Sequence, residues 1–128
     1  MKKRLILLII SVVIIIGFLC GCNEDKDNES KLDKEKFIGK WLEEGDVPNN
    51  LTWIFYENNS IKFIYYPGGN TGSYYIYWGA FELNGDILDV DAMPILSMRY
   101  TYDFSNNNEK LTLTSIYGGD QTIINKVE

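Results

Sequence analysis

The chain of 128 residues contains no histidine and only two cysteines, and both shortages limit its chemistry. Histidine is the commonest general base and the commonest metal ligand, so catalysis or metal binding would depend on other side chains. The two cysteines are Cys20 and Cys22, and no cysteine follows them. A domain formed by the later residues therefore has no disulfide, and its core alone must stabilise it.

The chain also has no Gly-x-Ser-x-Gly nucleophile motif. Carboxylates are therefore the remaining candidates for acid–base chemistry. Their densest group is Asp86, Asp89 and Asp91, and strand alternation places Asp89 and Asp91 on one solvent-facing side. Oxygen ligands suit Ca²⁺, but the EF-hand spacing is absent, and a glycosidase would need a carboxylate pair that the pattern does not locate. We therefore expect no enzymatic activity, no metal site and no cofactor.

Positive charge is scarce beyond the N-terminus. The chain has 12 basic and 18 acidic residues, and three of the basic ones are Lys2, Lys3 and Arg4. Without residues 1–21, nine basic residues remain against 18 acidic ones, which gives a net charge of −9. Phosphates would be repelled by such a chain, so nucleic acid is not an expected partner.

Only one long apolar run is present, at residues 5–19, where Ser11 and Gly17 are the exceptions. A helix that crosses a bilayer needs about 20 apolar residues, so this run is short for a permanent span. The basic start, the apolar run and the small residues after it are typical of a secretory signal peptide.

The end of this segment, Leu19-Cys20-Gly21-Cys22, resembles the lipobox of prokaryotic lipoproteins. The resemblance implies that residues 1–21 are removed and that Cys22 becomes the first residue, with a diacylglycerol on its thiol. Two acyl chains, such as palmitate, give stable anchoring to a membrane. Because the signal peptide is secretory, the anchored domain would be extracytoplasmic. The alternative is an uncleaved N-terminal anchor with two incidental thiols.

Residues 22–36 are expected to form the lipidated cysteine and a charged, flexible linker. Residues 23–36 include ten charged side chains and one aliphatic side chain, Leu32, too little apolar surface to order the segment. Fully extended, such a spacer could reach about 50 Å. Pairs of Lys and Glu four residues apart would also support some helix at residues 30–36. The alternative is that this segment is a charged helix face that belongs to the domain.

Residues 37–128 contain 17 of the 18 aromatic residues, together with frequent Asn and Gly turns. Aromatic and β-branched residues that alternate between such turns predict short strands joined in hairpins. The predicted fold is all-β: a single up-and-down antiparallel meander of about eight strands that closes into a barrel.

One hairpin is predicted in detail. Asn84-Gly85 suits a two-residue turn, which would place Leu83 opposite Asp86 and Phe81 opposite Leu88. The apolar residues of both strands would then share one face of the sheet, as an antiparallel sheet with one solvated side requires.

Three further patterns resemble lipocalins. Gly39-Lys40-Trp41 resembles the Gly-x-Trp that opens the first lipocalin strand. GAFELNGDIL at residues 79–88 and NNEKLTLT at residues 107–114 resemble a strand-turn-strand phrase of short lipocalin-like domains in secreted prokaryotic lipoproteins. The resemblance implies a lipocalin-like barrel over residues 37–128, in which Lys126 packs over Trp41.

The aromatic residues suggest a ligand site inside this barrel. Seven of them lie in residues 63–78, around a turn at residues 67–72, and Tyr and Trp suit the mouth of a pocket for a small apolar ligand or a sugar. The candidate ligand-binding residues are Trp41, Trp53, Phe63, Tyr65, Tyr75 and Tyr77.

The alternative is that these rings fill the barrel and cover its outside. The domain would then be a protein-interaction or inhibitor module of the cell envelope that uses its outer face. A core filled by Trp41, Trp53, Phe55 and Phe63 would favour this second function.

Overall fold

The structure is a computed structural model, which describes residues 24–45, 51–67, 72–94 and 96–128. One helix, α1 (Glu24–Phe37), precedes eight strands: β1 (Gly39–Glu43), β2 (Leu51–Phe55), β3 (Ser60–Tyr65), β4 (Tyr75–Asn84), β5 (Ile87–Ala92), β6 (Leu96–Ser105), β7 (Lys110–Ser115) and β8 (Gln121–Val127). Consecutive strands pair antiparallel, and β1 also pairs with β8, so the sheet closes into a barrel. The predicted all-β, up-and-down meander is confirmed.

The core fills the inside of this barrel. Along β7, for example, buried residues alternate with partly exposed ones, as the two-residue period of a strand requires. The inward residues form one cluster dominated by aromatic rings. Large rings supply much of the apolar surface that a core without disulfides needs.

The β4–β5 hairpin corrects the predicted register. Asn84 pairs with Ile87 and Leu83 with Leu88, so the loop residues are Gly85 and Asp86. Gly85 has φ of 65°, at the first central position, where a type II′ turn needs a positive φ. The loop has moved by one residue and the pairing by two, so each side chain keeps its predicted face.

Helix α1 covers most of the segment predicted as a charged linker. Residues 24–37 form one helix, which includes the residues 30–36 where Lys and Glu pairs support helix, and its last turns contact the barrel. Phe37 is fully buried, and its ring lies 5.4 Å from that of Phe55 and 4.9 Å from that of Phe104. Tyr102 donates a hydrogen bond of 3.0 Å to Asp33, and Lys34 donates one of 2.6 Å to the Glu57 carbonyl. These contacts cannot be predicted from the charged composition of the segment, because they depend on a few individual residues.

Two barrel side chains bind the C-terminal carbonyls of α1. The Trp41 indole donates a hydrogen bond of 2.7 Å to the Phe37 carbonyl, and the Lys126 ammonium donates one of 3.3 Å to the Lys36 carbonyl. The Lys126 ammonium also lies 5.3 Å from the centre of the Trp41 ring, as the lipocalin resemblance implied. These donors satisfy carbonyls that a helix end leaves unpaired, and the cation suits the negative end of the helix dipole.

The predicted signal peptide and lipobox, residues 1–22, lie outside the described residues. Within the ranges that the structure describes, no helix is long and apolar enough to cross a membrane.

Because Phe37 is enclosed by aromatic rings, Phe37→Ala should lower the free energy of unfolding by about 3–5 kcal/mol. Leu32→Ala is the matched control, since Leu32 lies on the same helix and is 62% exposed. Its effect should stay within about 0.5 kcal/mol. Urea unfolding followed by circular dichroism measures both. Equal effects would show that α1 is not docked.

Candidate functional site

Three of the six predicted ligand-binding residues lie deep in the core. Trp41, Trp53 and Phe63 are buried, as is Phe55. The rings of Trp53 and Phe63 pack edge to face with centres 4.7 Å apart. These rings contact one another, so they fill the barrel rather than surround a cavity at this level.

The other three, Tyr65, Tyr75 and Tyr77, lie on the same inward face but nearer the end opposite α1. Tyr77 pairs with Phe63 and Tyr75 with Tyr65, and directly opposed residues share a face. Tyr77 is partly buried against the core, whereas Tyr75 is 52% exposed. The structure therefore separates the six candidates into a buried group and a half-open group.

Glu43 joins the half-open group, although sequence reasoning did not select it. It lies two residues after the buried Trp41 on β1 and pairs with the fully buried Ile124, so its side chain is on the inward face. Trp53 donates an indole hydrogen bond of 3.4 Å to a Glu43 oxygen. The spacing of two from Trp41 was the available signal.

The Glu43 carboxyl alters its surroundings electrostatically. Burial raises the pKa of Glu43, and the hydrogen bond from Trp53 lowers it by a smaller amount. Burial together with the Glu43 charge raises the pKa of Tyr100 to about 12. We call this end of the barrel interior the mouth, and define it by Glu43, Trp53, Tyr65, Tyr75, Tyr77 and Tyr100.

A second cluster of rings lies outside the barrel. Trp78 and Tyr74 are each 57% exposed. Trp78 stacks on Tyr56 at 5.6 Å and carries the Lys62 ammonium 5.4 Å from its ring. A groove of about 630 Å³ lies beside Tyr56 and Trp78. The outer aromatic face consists of Tyr56, Lys62, Ile64, Tyr66, Tyr74, Ile76 and Trp78.

The acidic residues singled out in the sequence remain on the solvent side. The Arg99 guanidinium donates to the Asp89 carboxylate, and this contact lowers the pKa of Asp89. Asp86 and Asp91 are exposed. Among the described residues, no group of three or more carboxylates or cysteines is arranged to hold a metal ion.

The raised pKa of Glu43 gives a stability prediction. A carboxyl whose pKa is higher in the folded state destabilises the fold once it ionises, so that cost is present at neutral pH and disappears on acidification. Glu43→Gln should therefore raise the free energy of unfolding at about pH 7, and the gain should shrink near pH 4. Denaturant unfolding at both pH values checks this.

Glu44→Gln is the control, because Glu44 is exposed and pairs with Lys110 at 3.3 Å. A Glu43→Gln gain that is the same at both pH values, or a loss at neutral pH, would contradict the electrostatic role of Glu43.

Comparison with protein-family models, with curated proteins and with solved structures finds no match for this chain. The function therefore has to be inferred from the residues and the fold.

Proposed function

We propose that this protein is a lipid-anchored, extracytoplasmic lipoprotein whose barrel is a non-enzymatic protein-interaction module. One contrast carries the proposal: Trp41, Trp53, Phe55 and Phe63 are buried inside the barrel, while Trp78 and Tyr74 of the outer aromatic face are exposed. The interior is filled where a deep ligand would bind, and apolar surface is available outside.

The composition of the outer aromatic face suits a protein partner. Aromatic rings are enriched at protein interfaces, where each ring buries a large area at low entropic cost. Ile76 is 43% exposed beside the two half-exposed rings, so the apolar surface continues along β4. Lys62 adds a positive charge to this patch in a chain that is otherwise acidic, which would favour a partner with a carboxylate near its apolar contact.

Helix α1 changes the expected geometry of the anchor. It begins at Glu24, two residues after the proposed lipid attachment site at Cys22. A helix of 14 residues spans about 21 Å, well below the reach of an extended linker. The last turns of α1 bind the end of the barrel that is opposite the mouth, which we call the closed end. That end would therefore lie nearer to the membrane and the mouth farther from it.

The second candidate function, a binder of a small apolar ligand, is favoured by the half-open position of Tyr65, Tyr75 and Tyr77. Native mass spectrometry of the protein purified from its own host would detect a retained molecule. A copurified small molecule would favour this function over the interaction module.

Lipid attachment predicts the effect of Cys22→Ser. The variant should lose its acyl mass and leave the detergent phase in a Triton X-114 partition, because no thiol remains to carry the diacylglycerol. Cys20→Ser is the control and should still be acylated, since Cys20 leaves with the signal peptide. An acylated Cys22→Ser protein would contradict the proposed anchor.

The interaction proposal predicts position-specific crosslinking. A photo-crosslinking phenylalanine analogue in place of Trp78 should capture a partner in the envelope of the producing cell. The same analogue in place of Thr101, which is exposed on β6, should not. Adducts at neither position, or equal adducts at both, would contradict an interface at the outer aromatic face.

A further inference from the structure

We infer that the mouth of the barrel binds a small protonated amine, with the Glu43 carboxylate as its counter-ion. This site is independent of the outer aromatic face and of the proposed protein partner. It also differs from the apolar ligand site that the aromatic residues predicted, because here the ligand must carry a positive charge.

The first support is the position of Glu43. Its side chain is half-buried on the inward face, beside the buried Ile124. The ladder places Leu42 opposite Thr52 and Leu51 opposite Tyr65, so Glu43 shares its row with Leu51, Tyr65 and then Tyr75. The carboxyl is therefore at the level of the half-open tyrosines, above the filled core.

The second support is that Glu43 has no ion-pair partner within the described part of the chain. Among the described residues, the ion pairs join Asp33, Asp89 and Glu44 to basic side chains, and Glu43 takes part in none of them. A partly desolvated carboxylate without a counter-ion is unfavourable, and a cation from solution would relieve that cost.

The sequence of the connecting segments extends this observation. In an up-and-down barrel, the C-terminal ends of β1, β3, β5 and β7 lie at the same end. The described parts of these connections, residues 44–45, 66–67, 72–74, 93–94 and 116–120, include no lysine or arginine. They include Asp120 and also Glu44, whose charge is paired with Lys110. The described connections at this end of the barrel therefore supply no basic side chain that would compete with a cationic ligand.

The third support is the ring chemistry around the carboxyl. Trp53 donates to one Glu43 oxygen, and the rings of Trp53 and Tyr100 lie 6.3 Å apart. The rings of Tyr75 and Tyr77 stack at 6.4 Å on the wall of the mouth. Aromatic faces attract an ammonium group and also accept its apolar stem. One carboxylate with several rings suits an organic monocation. Ca²⁺, in contrast, needs six to eight oxygen ligands.

The test titrates the full lipidated chain, in nonionic detergent at neutral pH, with 2-phenylethylamine and with n-butylamine. Isothermal calorimetry measures affinity, and the indole proton resonance of Trp53 reports on the site. Saturable binding of at least one amine is expected. The neutral analogue 2-phenylethanol should bind at least about tenfold more weakly, because it lacks the charge that Glu43 pairs with.

Glu43→Gln should weaken amine binding by about tenfold or more, while Glu44→Gln should leave it unchanged. The 2-phenylethanol comparison uses the wild-type protein, so it holds even where a variant folds poorly. Three results would overturn the inference: no saturable binding of either amine up to about 10 mM, equal binding of 2-phenylethanol and 2-phenylethylamine, or unchanged binding by folded Glu43→Gln.

Discussion

The contact of Trp41 and Lys126 with the end of α1 holds the closed end of this barrel together. Trp41 lies on the first strand and Lys126 on the last, and the two residues are opposed where β1 meets β8. Their donors reach the carbonyls of Phe37 and Lys36, so the seam of the barrel and the helix are joined at one place. A buried indole N–H needs an acceptor, and here the helix supplies it.

This contact divides the molecule into a closed end and a half-open one. Phe37 and the rings around it fill the closed end, and the buried Trp53 and Phe63 continue that packing. Among the described residues, exposed aromatic side chains lie at the mouth and on the outer aromatic face, and Tyr117 is exposed apart from both. The mouth combines rings with one carboxylate, whereas the outer aromatic face combines rings with one ammonium group. The two surfaces therefore favour partners of opposite charge.

Much of the fold could be predicted from the sequence because alternation and turn residues are local signals. Alternation correctly predicts that Phe81, Leu83, Leu88 and Val90 share one face of the sheet. This holds even though the loop lies at Gly85-Asp86 rather than Asn84-Gly85. Both dipeptides can turn the chain, so only tertiary packing decides between them. The sequence supports helix at residues 30–36 but does not show the full length or the docking of α1, because these depend on contacts with distant residues, such as Asp33 with Tyr102. Glu43 was not selected because the pair Glu43-Glu44 resembles a charged strand end, although its spacing of two from Trp41 indicates that Glu43 is the inward one.

Hydrogen exchange of the Trp41 indole proton tests the joining of helix and barrel most directly. Trp78 supplies an internal reference, since its ring is exposed on the outer aromatic face. If the Trp41 indole is held by the Phe37 carbonyl inside the closed end, its proton should exchange only when the whole barrel unfolds. A Trp41 indole proton that exchanges as fast as that of Trp78 would contradict the closed, helix-capped barrel.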